Sequence, residues 1–89
     1  MQFRRHPRRR DRNGFRYRMW VSVDGRFAVE RSRWMGRGDL PDVWRALRWD
    51  IDRWDLLVNR RTGAIAHRTR GAAERTCRSI RRPEIQTRV

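Results

Sequence analysis

Lysine is missing from this chain: all 24 of its Lys-plus-Arg residues are arginine, set against ten acidic ones, for a formal charge of +14. A GC-rich genome encodes arginine more readily than lysine. That accounts for the choice of base but not for the size of the excess. Cysteine is nearly missing too. Cys77 stands alone, so no disulfide can staple the chain to itself, and a reducing, cytoplasmic compartment is expected. Two histidines and one cysteine are too few for a four-ligand zinc site. No apolar run approaches the roughly 18 residues of a membrane span. No apolar segment follows the basic N-terminus, so neither a membrane anchor nor a secretory signal is expected. Nucleophile–base pairs, phosphate-cradling glycine loops and paired catalytic carboxylates are also lacking, so the expectation is a protein that is not an enzyme and needs no cofactor.

What is present is guanidinium. It is planar, always charged and weakly hydrated, and it grips phosphate or carboxylate through a fork of donors. Between positions 4 and 12 stand seven basic residues, six arginines and His6, with Pro7 among them. Self-repulsion and the lack of apolar neighbours predict a flexible basic arm over residues 1–15.

From Arg16 onward apolar residues recur at period two. Tyr17, Met19 and Val21 precede Asp24-Gly25, and Phe27 and Val29 follow it, which predicts a hairpin. Keeping all five on one face requires a three-residue loop, Val23-Asp24-Gly25, pairing Val21 with Phe27. The opposite, open face then carries Arg16, Arg18, Trp20 and Arg26. Gly36 and Gly38 end the pattern. Asp39 reads as a helix N-cap, and Leu40, Val43, Trp44, Leu47 and Ile51 follow one helical face, predicting a helix over 40–52. A second hairpin is expected from Trp54 to His67 about an Arg60-Arg61-Thr62-Gly63 turn. A last helix is expected over 70–82, capped by Thr69 and stopped by Pro83. The expected fold is α+β: a four-stranded antiparallel sheet with two helices on one face in the order ββαββα. Residues 16–82 form this domain and residues 83–89 a frayed tail. A core this small under so much like charge is expected to gain stability by dimerising or by binding an anionic partner.

Three groups of residues are candidate nucleic-acid contacts. The arm offers Arg4, Arg5, Arg8, Arg9 and Arg10. The open sheet face offers Arg16, Arg18 and Arg26 around Trp20, a mix suited to phosphates and a stackable base. The last helix offers Arg70, Arg75, Arg78, Arg81 and Arg82. Asp50, Asp52 and Asp55 are expected to pair with nearby arginines rather than hold a metal, because Asp50 and Asp52 would point about 200° apart on a helix.

The segment VNRRTGAIAHRTRGAAERTCRSI, about a quarter of the chain, resembles the small arm-binding domains of tyrosine recombinases. The resemblance implies a three-stranded sheet with basic residues on its face. The leading expectation is a non-enzymatic nucleic-acid-binding protein, DNA or RNA, held mainly through phosphates. The alternative is a small effector, of the kind phages encode, that inhibits a host protein by docking on an acidic surface. Trp34 and Trp49 are its candidate interface anchors.

Overall fold

Asn13-Gly14 sets the architecture. Both residues have positive φ, 51° and 80°. That is the requirement of the tight two-residue hairpin turn, which asparagine and glycine meet at least cost. The turn folds β1 (Phe3–Arg12) back on β2 (Phe15–Ser22). β3 (Phe27–Trp34), β4 (Val43–Asp50) and β5 (Arg53–Leu56) follow, and α1 (Arg70–Ser79) closes the chain's described part. The computed structural model describes residues 1–38 and 40–79, and for residues 7–12 the backbone alone. All five strands form one antiparallel sheet in the order β1-β2-β3-β4-β5.

This overturns the expected ββαββα arrangement. The sheet has five strands rather than four, and α1 is the one helix among the described residues. Residues 3–12, expected in a flexible arm, are β1. Pro7 is accommodated because β1 is an edge strand whose register shifts between Arg5 and Arg9.

Residues 43–50, expected within a helix, are β4. The strand lies between β3 and β5, with apolar residues on both of its faces. Trp44 and Ala46 join the cluster under α1, and Leu47 packs on the opposite side. A two-sided strand shows no alternation, and its apolar positions imitate helical spacing. The Asp39 cap lies outside the described residues.

The first hairpin takes the register that the apolar pattern disfavoured, with Val21 opposite Ala28 and Trp20 opposite Val29. Its turn is set by polar groups. The Gly25 N–H donates to the Ser22 carbonyl at 2.9 Å. The Ser22 hydroxyl accepts from the Phe27 N–H at 3.0 Å and donates to Asp24 at 2.6 Å. Apolar residues are wanted on both faces here, so the pattern exerts no pull against this network.

The second expected hairpin is only partly present. Asn59 accepts from the Arg61 and Thr62 N–H groups, and Gly63 has φ 73°, so the turn exists. It joins no ladder. His67 instead makes an isolated bridge to Trp44, extending the β4 edge that short β5 leaves open. The capped last helix does form: the Ala72 N–H donates to the Thr69 hydroxyl at 3.2 Å. Ala73, Thr76 and Cys77 face inward as expected. Ile80, Arg81, Arg82, Pro83 and the tail to 89 lie outside the described residues.

α1 packs on β3 and β4. Val29, Ala46, Ala73 and Cys77 are fully buried there, and Leu57 nearly so, with Phe3, Phe27 and Trp44 around them. The small side chains of Ala46 and Ala73 let helix and sheet approach closely. Among the described residues the other face of the sheet carries no helix. Met19, Ala28 and Leu47 are buried in it, flanked by Val21 and Trp54.

β4 and β5 meet in a turn where the Asp52 N–H donates to the Asp50 carbonyl. Ile51, between them, has φ 55° and is 90% exposed. A β-branched residue there carries backbone strain of about 1–2 kcal/mol and buries nothing in return. Ile51→Gly is expected to raise unfolding stability by about 0.5–1 kcal/mol, after the extra chain entropy of glycine. Chemical denaturation of the two proteins side by side checks this, and an unchanged or lowered midpoint refutes it.

Candidate nucleic-acid interface

The β2–β3 register places Arg18 opposite Arg31 and Arg16 opposite Arg33. Residues two apart on a strand share a face, and directly opposed residues share it too. The four arginines therefore form a two-by-two block on the helix-bearing face of the sheet. In the β1 backbone, Arg9 stands opposite Arg18 and Asp11 opposite Arg16.

Trp20 is the next residue along β2 on that face, and Trp44 stands opposite Arg31 on β4. The two indoles meet with centroids 5.2 Å apart. The Arg31 guanidinium lies 5.9 Å from the Trp20 ring and 5.8 Å from the Trp44 ring. From the first residue of α1, Arg70 reaches to 5.5 Å from Trp20. Aromatic rings attract cations through their quadrupoles, so the tryptophan pair holds two guanidinium groups in place.

Asp42 supplies negative charge beside this block. Arg33 donates to its two carboxylate oxygens at 3.0 and 3.3 Å, and Arg31 lies 3.8 Å away. The hydrogen bond from Arg33, with the charges of Arg33 and Arg31, holds the Asp42 carboxyl below its usual range. The same contact raises Arg33. All these groups are partly or well exposed, so the pairings are soft and open to competition from another anion.

Of the residues singled out from the sequence, Arg16, Arg18 and Trp20 come together, but beside α1 rather than on an open face. Trp20 is already occupied by Trp44, Arg31 and Arg70, so it serves as a platform for arginine more than for a base. Arg26 sits apart and exposed, in the turn after Asp24. Arg4 and Arg5 are exposed on β1, opposite Val21 and Trp20. Arg8, Arg9 and Arg10 contribute only backbone to the description.

Arg75 and Arg78 are exposed on α1. Glu74 pairs with both Arg70, at 3.1 Å, and Arg78, at 3.2 Å, so the helix is less basic than its composition suggests. Arg81 and Arg82 fall outside the described residues. Reading the sequence missed Arg31 and Arg33, and placed Arg70 on the basic face of the last helix without linking it to Trp20. Arg31 and Arg33 are in phase with Phe27 and Val29, so the expected register set them on the apolar face, and only the observed register brings them opposite Arg18 and Arg16.

Of the two expected protein anchors, Trp34 is half-buried and Trp49 is exposed. Trp34 lies against two glycines: a Cβ on Gly14 would come 2.5 Å from its ring, and one on Gly36 2.3 Å. Trp49 meets Trp54 edge-on with centroids 5.2 Å apart. Together they wall a hollow of about 580 Å³ on the helix-free face, along with Tyr17, Met19, Glu30 and Asp52.

Cys77 is buried, and burial pushes its thiol up to about 11, which leaves little reactive thiolate at neutral pH. No group of three or more histidine, cysteine or acidic side chains suited to a metal occurs among the described residues. No helix among them is long and apolar enough to cross a membrane.

No known protein family, curated protein or solved structure matches this chain.

His67 lies partly under α1, its Nε2 3.2 Å from the Thr76 hydroxyl, and burial lowers its affinity for a proton. The unfolded chain then binds that proton at higher pH than the folded one. Stability contributed by neutral His67 is present above the ordinary value of 6.5 and is lost as pH falls below it. His67→Gln is expected to flatten the stability profile between neutral pH and about pH 5. Equal slopes for the two proteins across that range contradict this account of His67.

Proposed function

We propose that this protein is a non-enzymatic nucleic-acid-binding protein that grips the phosphate backbone through the arginine block on β2 and β3. One observation carries the reading. Arg16, Arg18, Arg31 and Arg33 are set side by side by strand register, which concentrates four guanidinium groups on one face of the sheet. Phosphates along a strand present a row of such anions, each able to take two guanidinium donors. The tryptophan pair holds Arg31 of this block, and Trp20 the neighbouring Arg70, in position before the ligand arrives. Arg4 and Arg5 extend the positive surface along β1. Asp42 acts as an internal stand-in for phosphate, to be displaced on binding. The buried, unpaired cysteine suits a reducing cytoplasm.

Strand-borne arginines aimed at a backbone read little sequence, so modest specificity is expected. An acidic protein surface would be met by the same charge. Of the two anchors suggested for such a partner, Trp34 is packed against Gly14 and Gly36, which makes a protein partner the weaker reading.

If about six phosphates are contacted, log K against log salt falls with a slope near −5 on duplex DNA. Arg18→Gln and Arg31→Gln each reduce that slope by about 1, uniformly across sequences. Asp42→Asn frees Arg31 and Arg33 and is expected to tighten binding. Fluorescence anisotropy across a salt series measures all three. Affinity that ignores salt, or wild-type affinity in Arg18→Gln, rejects the proposal. So does binding confined to host proteins after nuclease treatment.

A further inference from the structure

We infer that the hollow on the helix-free face takes an unpaired nucleobase, so that the chain prefers single-stranded over duplex nucleic acid. The inference rests on the phosphate-binding reading and adds a second contact to it.

The hollow's volume, about 580 Å³, falls in the range of roughly 300–1,000 Å³ typical of sites for small ligands. Trp49, Trp54 and Tyr17 line it, and Met19 and Leu47 are buried at its base. Trp49 remains 42% exposed, so one ring is available for stacking. These rings form the walls of a recess. A protein hot spot delivers a ring into its partner, whereas this recess receives one.

Polar groups narrow what it receives. Glu30 and Asp52 line the recess together with Arg18 and His6, so it presents hydrogen-bonding groups of both signs. Each carboxylate has several acceptor sites and can take an N–H from a base edge. Arg53 also lines the recess, and exposed Arg4 stands opposite Val21, another lining residue. A ligand with an aromatic, N–H-bearing ring and an anionic tether fits this pattern: ring inside, phosphate at the arginines. A nucleotide in a single strand offers that combination. In a duplex its base is stacked and paired, and cannot enter without the cost of unstacking.

The test compares a labelled single-stranded DNA with a duplex of the same sequence, using the full chain at fixed salt. Wild type is expected to favour the single strand. Trp49→Ala is expected to weaken single-strand binding about 5- to 150-fold, the effect of losing one base stack, and to leave duplex binding within about twofold. Trp49→Leu keeps apolar volume without a ring and is expected to show the same selective loss, which guards against misfolding of the alanine variant. Trp49→Phe should retain most of the preference.

Equal wild-type affinity for the two forms overturns the inference. So does a loss shared equally between them, or single-strand binding unchanged in both Trp49→Ala and Trp49→Leu. The last is the result expected if a second copy or a partner protein occupies the recess. In these cases salt-dependent duplex binding would leave the phosphate-binding reading intact. Failure of wild type to bind either form would overturn both.

Discussion

Arginine opposed to arginine across β2 and β3 is the constraint on which the rest of this structure depends. Like charges at directly opposite positions disfavour strand pairing. Here the register places two such pairs next to each other and brings the backbone of Arg9 beside them. The apolar contacts on both faces must outweigh that repulsion. Asp42, Trp20 and Trp44 soften it locally. On the proposed function, an external anion over the block would add to the neutralisation that Asp42 supplies.

The sheet meets its two faces differently. On one, α1 covers β3 and β4 and leaves the arginines of β2 outside the helix's cover. On the other, apolar residues sink between the strands with no helix over them among the described residues, and Trp49 and Trp54 border a recess. Both arrangements follow from central strands that carry apolar residues on each side. The first face therefore offers charge, and the second offers aromatic surface. A polymer with charged links and flat rings can use both only if it passes around an edge of the sheet. β1 is such an edge, and it is densely basic in sequence.

Local chemistry in the sequence was largely legible. The Thr69 cap, the inward stripe Ala73–Thr76–Cys77, the positive-φ glycines at Gly25 and Gly63, and the strands on either side of Asp24 were all readable. Partition into sheet and helix was not. β4 combines Trp44, Ala46, Leu47 and Trp49 on two buried faces, which erases the alternation that identifies a strand. Asn13-Gly14 was a strong hairpin signal, overshadowed by the charge around it: electrostatic repulsion argued for an arm, while turn geometry argued for a strand. The register of the first hairpin depended on hydrogen bonds from Ser22 and Asp24, which apolar periodicity does not register. Candidate arginines on β2 were found because period two was read there, and Arg31 and Arg33 were missed because the expected register set them in phase with Phe27 and Val29, on the apolar face.

The central claim is that the arginine block stores repulsion that anions relieve. It is tested most directly by the melting temperature of the isolated protein as sodium chloride is raised at constant pH. Screening shortens the reach of charge from about 30 Å at 0.01 M to about 10 Å at 0.1 M. The account predicts that the melting temperature climbs through this range, and that Arg18→Gln starts higher and climbs less. A melting temperature that stays flat or falls with salt, identically in both proteins, would contradict it.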